Sequence, residues 1–286
     1  MKRHLTYLLL LVICPLMGWA QINTERVMAI GRNALYFEDY VLSIQYFNQV
    51  INAKPYLADP YFFRGLAKIN LDDFSGAESD CTEAIERNPF VVNAYQVRGL
   101  ARIQQDKLAD AVKDYQKALE LDPENIALWH NLALCRIRQK EYDAAKNDLD
   151  RLIIISPRYT KAYLMRGEVD LKQKDTLTAE KDFNRAIEID RYDPDTWASR
   201  GMLYLMKEQY KEAEEDLGKA IHLSVRNPGL YINRALARST DMNKIILIDG
   251  NSLLHRAYHA LPGLKTSKGF FTGAIFGFMR LITKLV

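Results

Sequence analysis

The residues of this sequence that could do chemistry fall into two groups. Near the C-terminus a carboxylate, Asp249, follows the short apolar run 245–248 and precedes Gly250. That pattern reads as a buried strand delivering an acid at its C-terminal end. His255 and His259 stand one helical turn apart beyond it, but no third ligand and no intervening glutamate accompany them, as a zinc site would need. Lys244, Arg256, Lys265, Lys268, Arg280 and Lys284 could meet phosphate along the same stretch. Earlier in the chain Arg64, Arg98, Arg166 and Arg200 each precede an aspartate, Asp80, Asp114, Asp182 and Asp216, by sixteen residues. Arginines and aspartates that come and go together point to paired, partly buried charges, here predicted within about 4 Å, rather than to a basic ligand-binding stripe. A fifth aspartate, Asp148, has Leu132 sixteen residues before it, which leaves it to another donor such as Arg166. His130 and His222 have no evident nucleophile or metal-ligand partner, so no catalytic constellation emerges before residue 242.

The elements that must position these groups are written in a 34-residue period. With Thr24 as position 1, repeats begin at 24, 58, 92, 126, 160 and 194, and a seventh at Pro228, with no insertion. Position 8 is small (Gly31, Gly65, Gly99, Ala133, Gly167, Gly201, Ala235), as is position 20 (Ser43, Ala77, Ala111, Ala145, Ala179, Ala213). Small residues at both places let two helices approach closely. Large residues at position 4 (Val27, Tyr61, Tyr95, Trp129, Tyr163, Trp197, Tyr231) and position 24 (Phe47, Cys81, Tyr115, Leu149, Phe183, Leu217) fill the space around them. Pro55, Pro89, Pro123 and Pro157 close the second helix at position 32. Arg191 and Val225 replace that proline, with Pro194 and Pro228 three residues later, which leaves the last helix ends open by about a turn. Cys81 and Cys135 fall on apolar stripes and read as buried thiols, not as a disulfide or metal pair.

This pattern resembles the tetratricopeptide repeat over residues 24–241, and the resemblance implies an all-α superhelix of six full helix-turn-helix repeats plus a truncated seventh. In that family ligands touch positions 2, 5, 9, 12 and 13 of the first helix, which implies a concave groove for a protein or peptide. The matching candidates are Phe62, Leu66 and Asn70 in repeat 2, Gln96, Leu100 and Gln104 in repeat 3, and His130, Leu134 and Arg138 in repeat 4. Leu or Ile at position 12 in all six repeats reads as packing, and Phe62, Gln96 and His130, which vary, read as contacts. The Lys at position 5 and Asn at position 9 of members that hold a terminal carboxylate are replaced by Phe62 and Leu66, and by Gln96 and Leu100. The floor is apolar with a polar rim, suited to an extended segment or helix.

Residues 242–286 resemble the start of the 5′-nuclease domain of bacterial DNA polymerase I, in Leu247-Ile-Asp-Gly-Asn-Ser-Leu, Arg256-Ala-Tyr, Leu261-Pro, Thr266-Ser-Lys-Gly and Phe276-Gly-Phe. The resemblance implies a short β-strand and helix fragment of an α/β nuclease domain, with Asp249 the first acidic ligand of a two-metal Mg²⁺ site for 5′-3′ exonuclease chemistry. Such a site needs several carboxylates, and Asp249 is the only acidic residue after Asp241. Mg²⁺ is therefore implied only for a completed domain, and the basic tail by itself offers at most a nonspecific DNA contact.

Residues 1–20 have the parts of a secretory signal: Lys2, Arg3 and His4, an apolar run from Leu5 to Trp19, and Gly18 and Ala20 before the expected cleavage. The run is short for a membrane span and contains Pro15, and Ile13 before Cys14 argues against a lipid-modified cysteine. Export to the periplasm or cell envelope follows from the signal, without a stable span after cleavage, whereas the nuclease resemblance implies the cytoplasm. The two halves read as a chimera joined at Met242. The composition agrees with a mostly folded chain: 286 residues, 48% hydrophobic and 26% charged. Its net charge of +3 conceals a slightly acidic repeat region, with 31 basic and 35 acidic residues over 21–241, and a basic tail.

Overall fold

A computed structural model describes residues 23–241; the signal-like segment 1–20 and the nuclease-like segment 242–286, with Asp249, His255 and His259, lie outside the described residues. Thirteen helices and no strand occur among the described residues. They alternate as first and second helices of the 34-residue period: α1 (Thr24–Tyr36), α2 (Tyr40–Ala53), α3 (Asp59–Ile69), α4 (Phe74–Arg87), α5 (Val92–Gln104), α6 (Leu108–Leu121), α7 (Ile126–Arg138), α8 (Tyr142–Ile155), α9 (Thr160–Lys172), α10 (Thr176–Ile189), α11 (Pro194–Met206), α12 (Tyr210–Leu223) and α13 (Pro228–Asp241). The chain divides into two units, one ending at Gln173 and one starting at Lys174. The first holds α1–α9 and the second α10–α13.

Within each repeat that lies inside one unit, the two helices meet where the small residue at position 8 faces the large one at position 24. A Cβ built on Gly99 would lie 2.8 Å from Tyr115 Cζ, one on Gly65 2.9 Å from Cys81 Sγ, and one on Gly201 2.8 Å from Leu217 Cγ. Glycine is required there by contact, not by backbone conformation, and the ring or alkyl group uses the space for burial. Consecutive repeats share the resulting cores. Tyr95, Tyr115 and Leu119 of repeat 3 pack with Leu128, Leu132 and Cys135 of repeat 4 in one cluster.

The turns are set by features that the 34-residue pattern does not announce. Position 15, immediately after the first helix, takes a left-handed backbone at Glu38, Asp72, Asp106, Lys140, Lys174 and Glu208, with φ between 58° and 64°. No glycine is used, so each such residue carries a local cost of about 1 kcal/mol. The conformation lets the next two N–H groups turn back on the helix: Asp72 N donates to Ile69 O at 3.2 Å and Asp73 N to Lys68 O at 3.0 Å, closing a Schellman motif. Asp39, Asp73 and Asp175 at position 16 then cap the second helix, accepting from Leu42 N, Gly76 N and Thr178 N.

Second helices are 14 residues long with or without the proline. The open helix ends of repeats 5 and 6 are thereby fixed at Ile189 and Leu223, at the same position as the others. In every case the residue after the helix is extended, with φ from −134° at Ser156 to −145° at Asn88, and this ends the helix two residues before position 32. Pro194 and Pro228 instead start first helices, where a missing N–H costs nothing. The position 4 rings tie the loop down: Trp129 Nε1 donates to Pro123 O at 2.8 Å and Trp197 Nε1 to Arg191 O at 2.8 Å.

Candidate functional site

The arginines at position 7 extend from first helices into the seam between helices. Arg64 donates through Nε to Asp80 Oδ2 at 2.8 Å and through Nη2 to Oδ1 at 2.5 Å. Arg98 and Asp114 make the same fork at 3.1 and 2.7 Å, and Arg200 and Asp216 at 2.6 and 3.0 Å. Arg166 lies in the first unit and Asp182 in the second. Asp148 departs from the expected donor. Arg136, four residues beyond Leu132 on α7, reaches its Oδ1 at 2.6 Å, while Arg166 donates to Asp150 at 2.5 Å. Arg136 lies on the same helix face as position 7 and needs no neighbouring repeat to reach the acid.

The remaining Nη1 of each position 7 arginine makes a contact that sequence reasoning missed. It crosses to the preceding repeat, to Asn48 from Arg64 at 2.6 Å, to Thr82 from Arg98 at 3.1 Å and to Asn184 from Arg200 at 2.5 Å. All are polar residues at position 25, sixteen residues back, as is Asp150. One planar guanidinium thus fixes two helices of its own repeat against the previous one, a geometry that the five-donor fork allows and a lysine does not. A second link joins position 11 to position 21 of the preceding repeat. Arg102 meets Glu78 at 2.9 Å, Lys146 meets Asp170 at 2.6 Å with the charges reversed, and Arg238 meets Glu214 at 2.5 Å.

These environments separate the carboxylates. Burial pushes Glu78 upward, but hydrogen bonds from Lys107, Arg102 and Gln105 outweigh it and hold the carboxyl at about 2. Burial raises Asp148 to about 6, because Arg136 alone opposes it and its Oδ2 is buried without a partner. Asp114, with Arg98 and Arg102 beside it, is raised by burial too. Burial also pushes the Cys81 thiol up to about 12 and Cys135 to about 11, which makes them poor nucleophiles at neutral pH. Neither forms a disulfide. No group of three His, Cys, Asp or Glu that could hold a metal occurs among the described residues, and no helix there is long and apolar enough to cross a membrane.

On the first-helix face, Leu66, Leu100 and Leu134 are half-buried at position 9 of three consecutive repeats. Asn70, Gln104 and Arg138 at position 13 are exposed. Gln96 and His130 are half-buried; His130 Nδ1 lies 3.3 Å from the Tyr159 hydroxyl, with the two rings edge to face at 5.9 Å. Burial, and then the charge of Lys161, hold His130 below its ordinary value, so it is neutral at pH 7. Phe62 corrects its reading as a contact residue. It is 9% exposed, packs on Phe63 with ring centroids 4.9 Å apart, and joins the core with Cys81, Ala84 and Val97. Position 12 is part of the packing as well, with Ile103 buried and Ile69 and Ile137 half-buried.

Comparison with known proteins follows the same division of the chain. Four tetratricopeptide-repeat models match residues 62–126, 102–168, 160–193 and 183–215. The model of the 5′-3′ exonuclease N-terminal resolvase-like domain matches residues 244–286. The DNA polymerase I of Bacillus subtilis is 45% identical over 47 residues, and a 5′-3′ exonuclease of Aquifex aeolicus 47% over 45, each match covering 16% of this chain. The chain spans 5% and 16% of the lengths of those two proteins. Among solved structures, that of YrrB, described as a TPR protein with an unusual peptide-binding site, aligns with a TM-score of 0.55 at 22% identity, covering 66% of this chain and 98% of that one.

Proposed function

We propose that this chain, which belongs to the tetratricopeptide-repeat family over residues 62–215, is a non-enzymatic scaffold that binds a segment of a partner protein along its first-helix face. The observation that carries this reading is the row Leu66, Leu100 and Leu134. Three half-buried leucines recur at one position of successive first helices, flanked by exposed Asn70, Gln104 and Arg138. An apolar stripe with a polar rim is the surface that an extended or helical peptide uses. The description of YrrB as having a peptide-binding site supports the same ligand class here. Selection from a random peptide library on the full chain tests it. Peptides should be enriched whose affinity falls at least about tenfold with Leu100→Glu, the cost of placing a charge in a desolvated contact, while the melting temperature is kept. Absence of enriched peptides, or binding indifferent to the substitution, overturns the reading.

The signal-like segment supports export to the periplasm or cell envelope, and the nuclease-like segment belongs by its resemblance to a cytoplasmic protein. A junction of two unrelated sequences at Met242 accounts for both. Sequencing the DNA across the Asp241–Met242 boundary in an independent isolate tests this: a continuous seventh repeat there supports the junction, and the same boundary speaks against it. The match of residues 244–286 favours a second reading, a 5′-3′ exonuclease fragment. Its residues do not fit a Mg²⁺ site, since Asp249 supplies a single carboxylate where two metals draw on several. Magnesium-dependent cleavage of a flapped DNA by the purified chain would restore that reading, and none is expected.

A further inference from the structure

Arg234 occupies position 7 on α13, where Arg64, Arg98 and Arg200 each hold an aspartate sixteen residues on and a polar side chain sixteen residues back. Arg234 has neither. Sixteen residues back stands Gly218, and sixteen on stands Gly250. Among the described residues Arg234 makes no hydrogen bond or ion pair, and its guanidinium lies 5.7 Å from the centroid of the Tyr231 ring. Beside it is a cavity of about 330 Å³ lined by Lys211, Glu214, Glu215, Gly218, Arg234 and Arg238. The same helix leaves Ile232 58% and Tyr231 38% exposed. Ala235, at the small position 8 that is buried in repeats 1 to 6, is exposed.

We propose that α13 is a docking face for an amphipathic helix of another protein, independent of the leucine row. The repeats themselves state what that helix must carry. Each second helix from repeat 2 to repeat 6 presents alanine, then aspartate three residues on, then a large side chain or cysteine directly after it, as in Ala111-Asp114-Tyr115 and Ala213-Asp216-Leu217. The small residue admits close approach, the large one covers position 8, and the aspartate meets the arginine. Two nearer occupants fail this chemistry. The segment after Asp241 places Gly250 and Asn251 where the aspartate and the large residue should be; in a second copy the second helices that carry the motif already bury its aspartate, and α2 carries Tyr46 in its place. The charge on Arg234 and the continuation of the interface between α12 and α13 select a partner helix bearing the motif Ala-x-x-Asp followed by a large apolar residue.

The probe is a fluorescein-labelled synthetic peptide with the sequence of α12, Tyr210–Leu223, stapled on the face away from Ala213, Asp216 and Leu217 so that it is helical in solution. Anisotropy titration against the full chain should show saturable binding. Arg234→Ala in the chain, and Asp→Asn in the peptide at the place of Asp216, should each weaken it at least about fivefold, and the two together no more than either alone, as a shared charge-assisted pair requires. Arg234→Ala should leave the melting temperature unchanged, because the side chain makes no hydrogen bond or ion pair among the described residues. No binding up to about 100 µM peptide overturns the proposal. So does equal affinity for both variants, or loss of binding with Leu100→Glu instead, which would place the peptide in the groove.

Discussion

Asp148 offers the sharpest test of the charged seam. It is 4% exposed and has one donor, Arg136 at 2.6 Å, where Asp80 and Asp114 each have two cationic partners. Repeat 4 has Leu132 in place of the forked arginine, and burial therefore raises Asp148 from 3.8 to about 6. The difference is about two pH units, or about 3 kcal/mol at about 1.4 kcal/mol per unit. Its sign follows from linkage. Because the folded-state value lies above the unfolded one, the folded protein binds more protons between pH 4 and 6, and stability from this group is full below about 4 and lost as pH rises to about 6. Asp148→Asn removes the titration and keeps an acceptor for Arg136. Urea unfolding followed by circular dichroism from pH 4 to 7.5 should show the stability of wild type falling relative to the variant by about 2–3 kcal/mol, all of it below about pH 6.5. Leu132→Arg, which adds a second opposing charge, should make the same slope shallower, although burial still raises the forked Asp114. A difference between wild type and Asp148→Asn that does not change with pH would refute the reasoning, because a buried carboxylate with one donor would then titrate as an exposed one does.

Other outcomes follow from neighbouring geometry. Glu78, held at about 2 by Lys107, Arg102 and Gln105, has the opposite sign: its contribution is present above about 4.5 and lost as pH falls toward 2, so Glu78→Gln should remove about 1–2 kcal/mol of acid sensitivity in an acid titration. Gly99→Ala places a methyl 2.8 Å from Tyr115 Cζ and should cost about 1–3 kcal/mol in urea unfolding, whereas Gly218→Ala, whose Cβ would meet nothing within 4 Å, should gain about 0.5–1 kcal/mol. Lys140→Gly relieves a left-handed residue at φ 63° and should raise stability by about 0.5 kcal/mol in the same assay; a loss would show that this turn is not strained.

The helix pairs were legible because burial at positions 4, 8, 20 and 24 is enforced by side-chain volume, and volume is visible in residue type. Tyr115 and Gly99 specify each other in a way that any 34-residue comparison exposes. The fork from Arg64 to Asp80 was legible for a similar reason, since the two residues appear and disappear together. The left-handed turns were not, because Glu38, Lys140 and Glu208 are ordinary surface residues whose backbone is set by the geometry of the corner, not by their own preference. Phe62 misled because position 5 varies in type while remaining buried in repeat 2 beneath Phe63. Variation along a repeat marks contact residues only where the side chain also reaches solvent, as Gln96 and His130 partly do.

The links to the preceding repeat were hidden by substitution within a role. Asn48, Thr82, Asp150 and Asn184 are three residue types of differing charge that share an acceptor oxygen, and Glu78–Arg102 becomes Lys146–Asp170 with both signs exchanged. A pattern search by residue type sees noise in both cases. One junction inside the first unit has neither link. Between repeats 3 and 4, position 7 is Leu132 and position 21 is Val112, so both polar bridges are replaced by apolar side chains at once. Leu132 is 2% exposed and packs with Tyr115, Leu119 and Leu128, and Val112 packs against that cluster. The two positions need not change together: between repeats 1 and 2 position 21 is Ile44, while Arg64 keeps its bond to Asn48. At this junction Arg136 reaches Asp148 of its own repeat, as Arg102, which also meets Glu78, reaches Asp114.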